Sequence, residues 1–224
     1  MGEPSRGWRA AAALSGAVSV VLIFVGSAAI AGTSGPGRHS LPESGDEVAE
    51  YLADADHLRV LVGEYVGVLG VVLFLLFATY LLARVSRPGT ADSWSRRVGS
   101  AAAATYVALT LAAVAALVPA LNREGETAAG FLDLRTALIA LAFVALAAWL
   151  LVVGVHVLHT RELPRWLGWA AAALALLQFV TTPLAGIDPG FTGLPTFASF
   201  LWIVVASVLL FRRERAAPSD LRVG

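Results

Sequence analysis

Six apolar runs of bilayer-spanning scale dominate this chain, at about residues 10–30, 58–83, 99–121, 136–158, 166–184 and 196–211. A hydrocarbon core about 30 Å thick takes roughly 20 helical residues. Hydrocarbon offers no partner to a backbone N–H or C=O, so such a run folds as a helix that closes its own hydrogen bonds. The expected fold class is therefore all-α. It is a polytopic membrane helical bundle with six transmembrane helices, forming a single transmembrane domain over residues 1–224.

Composition supports this and excludes other classes. The chain is 58% hydrophobic and 14% charged, with mean hydropathy +0.75. A soluble domain is nearer half apolar and a quarter charged. A soluble enzyme, a nucleic-acid binder and a disordered scaffold are excluded on that ground. There is no Cys, hence no disulfide framework or thiolate metal site. All sixteen basic residues are Arg, so no lysine is present to form a Schiff base.

The arginines set the expected orientation. Arg6, Arg9, Arg84, Arg87, Arg96, Arg97, Arg161, Arg165, Arg212, Arg213, Arg215 and Arg222 fall on one side of the alternating connections. Arg38, Arg59, Arg123 and Arg135 fall on the other. An excess of Arg marks cytoplasmic segments, which places both termini in the cytoplasm of a multi-pass cell-membrane protein. Trp8, Trp94, Trp166 and Trp169 lie at the same inner boundaries, where amphipathic rings prefer to sit. A rival reading takes the first run as a signal peptide cleaved near Ala29–Ala31. Its apolar stretch exceeds the roughly 7–15 residues of a signal peptide, so the uncleaved helix is expected.

The long loop after the first run carries a capping box, Ser44 to Glu47, followed by Val48, Tyr51, Leu52 and Ala55 at helical spacing. An amphipathic helix over about residues 45–55 is expected on the outer surface, with Glu43, Glu47, Glu50 and Asp54 solvated on its other face. Asp54, Asp56 and His57 have the chemistry of cation ligands, but the stretch lacks the Gly and distal Glu of a calcium loop.

Six spans, the acidic stretch Glu47–His57 (EVAEYLADADH), Leu132–Leu141 (LDLRTALIAL) and Leu163–Trp169 (LPRWLGW) together resemble an actinobacterial family of six-helix integral membrane proteins of unknown function. The resemblance runs from about residue 10 to Arg213. It implies an integral inner-membrane protein and supplies no catalytic residues.

Glu64 is the candidate that chemistry singles out. It lies about 6 residues into the second run, roughly 9 Å deep at 1.5 Å per residue. An ionisable group there faces protein or a water-filled cavity, because lipid cannot solvate it. Gly63, Gly67 and Gly70 form a small-residue ridge beside it that admits a close neighbouring helix. Arg135, beside Asp133 at the outer start of the fourth run, is an expected partner. Gln178, Thr181 and Thr182 share one face of the fifth run, and Ser199 and Trp202 lie in the outer third of the last. Pro119 and Pro183 interrupt helix ends on the same side. Together these residues suggest a polar pocket open to the outside.

His156 and His159 are one turn apart but lack further ligands, so no metal and no cofactor is expected. The expected function is that of a non-enzymatic accessory, sensor or scaffold component of the inner membrane. Its partners are the lipid bilayer and either a lipid-like small molecule or another membrane protein, with no nucleic acid. Two alternatives stay open. One is a membrane-embedded enzyme acting on a lipid or isoprenoid, with Glu64 as a general acid kept protonated by burial. The other is a small proton-coupled carrier, although such carriers place charges near the midplane and almost none lie there.

Overall fold

The fold follows from a computed structural model, which describes residues 5–31, 56–86, 90–123, 125–184 and 190–216. All its regular elements among these residues are helices: α1 (Arg6–Ala31), α2 (His57–Val85), α3 (Thr90–Leu121), α4 (Gly125–Thr160), α5 (Arg165–Leu184) and α6 (Gly190–Ala216). Each of the six is long and apolar enough to cross a membrane. The helix expected over residues 45–55 lies outside the described residues.

Several helices outrun the apolar stretches that announce them. α3 starts at Thr90 where hydropathy suggests residue 99, α4 at Gly125 against 136, and α6 at Gly190 against 196. Hydropathy marks the part of a helix that meets lipid. The hydrogen-bonded ladder continues into the interface until a capping or turn residue stops it. Asp56 starts α2 by accepting from the Arg59 N–H at 3.2 Å, as a helix N-cap does. Arg161 ends α4 in the left-handed region, φ 58°, with its N–H donated to the Val157 carbonyl at 3.1 Å.

The helices pack as a closed ring. Each packs on the next in sequence, α6 returns to α1, and α2 also touches α4. The α1–α2 seam is backbone against backbone. A Cβ added at Gly26 would lie 2.4 Å from the Gly63 carbonyl oxygen and 2.9 Å from the Gly67 nitrogen. Between membrane helices, van der Waals contact of this kind replaces the missing hydrophobic drive. The centre is aromatic. Trp149 of α4 is fully buried and meets Phe74, Phe77 and Trp202 edge-on, with centroids 5.1, 6.4 and 6.1 Å away. Trp8, Trp94, Trp166 and Trp169 are exposed on the rim, as interfacial rings are.

The start of α1 and the end of α6 meet. Arg6 donates through Nε to the Glu214 carbonyl at 3.1 Å and through Nη2 to the Arg215 carbonyl. Both described chain ends thus share one face of the bundle, and Glu64 lies toward the opposite face.

Candidate functional site

At the end away from the termini, α1, α2, α3, α4 and α6 surround a cavity of about 290 Å³. Its walls are mostly apolar, with Val68, Val71, Ile139 and Phe143 among them. Glu64 and Arg135 line it together with the hydroxyl residues Ser27, Tyr106, Thr110 and Thr196. Glu64 is buried on the inward face of α2, and Arg135 Nη2 donates to its Oε1. The arginine thereby bridges α4 to α2 at the wall of the cavity.

The glycines beside Glu64 divide their roles. Gly63 and Gly70 receive α1, and a Cβ at Gly70 would lie 2.7 Å from the Ser19 carbonyl oxygen. A Cβ at Gly67 would meet nothing within 4 Å. Its missing side chain opens on the cavity, while its backbone packs on Gly26 of α1.

The remaining candidates are placed elsewhere. Asp133 is exposed on α4. Gln178, Thr181 and Thr182 are buried on α5, which contributes no lining residue to this cavity. Thr181 donates to its own helix at the Leu177 carbonyl, 2.9 Å away. Neither end of the Gln178 amide has a hydrogen-bond partner among the described residues. Ser199 donates to the Pro195 carbonyl at 2.8 Å, and the Trp202 indole donates to the Leu167 carbonyl at 2.9 Å. Trp202 sits near the middle of α6, not in its outer third, because α6 begins earlier than hydropathy indicates. The single expected pocket thus corresponds to Glu64 and Arg135 alone. Sharing a face on one helix does not determine which neighbour that face meets.

A second polar cluster, which the sequence does not announce, lies at the termini end of the bundle. Glu214, on the last turns of α6, is buried at the termini end. Its carboxylate accepts from the Tyr80 hydroxyl at 2.8 Å and pairs with Arg84 at 3.2 Å and Arg9 at 3.7 Å. One acid therefore joins α1, α2 and α6. The available signal was a lone Glu inside Arg212-Arg213-Glu214-Arg215, which a charge count absorbs into the basic tail. His156 is buried and His159 exposed, and no group of three His, Cys, Asp or Glu side chains converges among the described residues.

The Yip1 domain family model matches residues 1–187. The chain belongs to the Yip1 domain family. The match spans α1 to α5, and with them all of the cavity lining except Thr196 and Phe200 of α6. No curated protein and no solved structure shows a significant match to the chain. As a Yip1 domain protein with six membrane-spanning helices, it is an integral membrane protein that sits in a lipid bilayer.

Proposed function

We propose that this Yip1 domain protein is a non-enzymatic component of the cell membrane, acting as a scaffold or sensor through its bundle and not through bond-making chemistry. The observation that carries this reading is the ion pair of Glu64 with Arg135 at the head of the cavity. A general acid must present its carboxyl to a substrate, and here that carboxylate is taken up by the Arg135 guanidinium of a neighbouring helix. The same pairing weighs against proton carriage by Glu64. Its role is then to hold α2 to α4 across the cavity.

The orientation proposed for it has both termini in the cytoplasm, with Glu64 toward the outer leaflet. The distribution of arginine supports this. Reporter fusions after Gly37 and Gly125 should read external, and fusions after Pro88 and Arg213 cytoplasmic. An external reading after Arg213 overturns the orientation.

Glu64→Gln tests the role itself. A structural acid loses folded protein when neutralised, so abundance and thermal stability should both fall. Protein that stays abundant and stable while the host loses a membrane phenotype would favour acid–base chemistry on a lipid or isoprenoid.

A further inference from the structure

We propose that the cavity between α1, α2, α3, α4 and α6 takes one ester-linked acyl chain of a bilayer phospholipid. The proposal rests on the reading of Glu64 and Arg135 as a fixed ion pair. Shape and polarity argue for a chain. The cavity has a charged pair toward the outer end and apolar walls running inward past Val68 to Val71 on α2. From Glu64 to Val71 that is about 10 Å along the helix. At about 290 Å³ it stands at the lower limit of ligand cavities, which are roughly 300–1,000 Å³, so one chain fits and a whole lipid does not. Apolar walls do not hold water well, and the surrounding solvent at this depth is lipid.

Charge then selects the head of that chain. Glu64 and Arg135 neutralise each other, so the mouth carries no net charge to be met. A free fatty acid would bring a second carboxylate beside Glu64, and an amine would bring a second cation beside Arg135. Either repeats a like charge where solvation is poor. Arg135 retains one unmet need. Its Nε is buried and has no hydrogen-bond partner among the described residues. A buried donor without an acceptor is costly, and a neutral ester carbonyl can supply that acceptor without disturbing the ion pair. Gly67 completes the fit by leaving its Cβ position open to the chain.

The test uses the full chain in phosphatidylcholine vesicles. One arm contains phosphatidylcholine with a diazirine in one acyl chain, and the other contains the matching free fatty acid. After irradiation, the ester probe should label cavity residues such as Val68, Val114 and Ile139. Lipid-facing Val62 and Val72 serve as the internal reference for bulk contact. Gly67→Leu fills the cavity without a backbone clash and should lower cavity labelling severalfold relative to Val62 and Val72, because the leucine side chain occupies the volume the acyl chain needs. Gly130→Leu, where an added Cβ also meets nothing within 4 Å, should leave it unchanged. Cavity labelling that survives Gly67→Leu, or that the free acid matches, overturns the inference while leaving the ion pair's structural role intact. Recovery of cleaved phospholipid with the cavity labelled overturns the non-enzymatic reading and leaves the acyl-chain site standing.

Discussion

Glu64 and Glu214 are both withdrawn from solvent, with side-chain exposures of 10% and 5%, yet they are held in different ways. Glu64 lies within an apolar helix and has a single partner among the described residues, Arg135 on one other helix. Glu214 lies at the bundle's end and has two arginines and a tyrosine from two other helices. The difference follows from depth. Long basic side chains are plentiful at an interface, where their heads stay partly hydrated. Farther in, each additional charge must itself be compensated, so pairs form singly. One acid therefore depends wholly on one partner, and the other is held redundantly.

The comparison fails or sharpens on four measurements. The largest effect is expected from Arg135→Met, which strands Glu64. A loss of about 3 kcal/mol is expected in thermal unfolding in detergent, the lower bound for breaking a buried pair. Adding Glu64→Gln to that variant should cost little more, because the two residues share one interaction. An additive loss would mean that they act separately. Next comes Glu214→Gln, which removes two ion pairs but leaves an amide that Tyr80 still reaches. About 1–2 kcal/mol is expected in the same assay. Arg9→Met and Arg84→Met should each cost below about 1 kcal/mol, since the other partners remain and both arginines are substantially exposed. If either matched Arg135→Met, redundancy would be the wrong account of Glu214. The smallest effect is that of salt. Raising ionic strength should weaken the Glu214 cluster slightly and leave the Glu64 pair unchanged, read as the salt dependence of each variant's stability loss.

Legibility in the sequence tracks the same contrast. Glu64 stands out because an ionisable residue interrupts an apolar run, and Arg135 because it lies at matching depth on another. The six helices were readable for the same reason, since hydrocarbon leaves the backbone few options. Glu214 was not readable, because a charge among charges carries no anomaly at an interface. Gln178, Thr181 and Thr182 share one face of α5 by helical spacing, but only tertiary packing decides that this face does not line the cavity. Gly67 shows the limit most simply. Spacing groups it with Gly63 and Gly70, and all three pack on α1, yet only the tertiary structure shows that the missing Cβ of Gly67 opens on the cavity.

Ser207 has a consequence for how such a protein is made. Its hydroxyl donates to the Ala13 carbonyl and accepts from the Ala17 N–H at 3.0 Å, the two groups that an unbroken α1 joins directly. A residue of the last helix thus bonds both groups of one rung of the first. The ribosome delivers these helices in order, so α1 enters the membrane without these two bonds and gains them only when α6 arrives. The earliest helix is fastened by the latest. A nascent chain arrested before Ser207 should hold α1 in a less anchored form, and assembly should end with the closing of the ring.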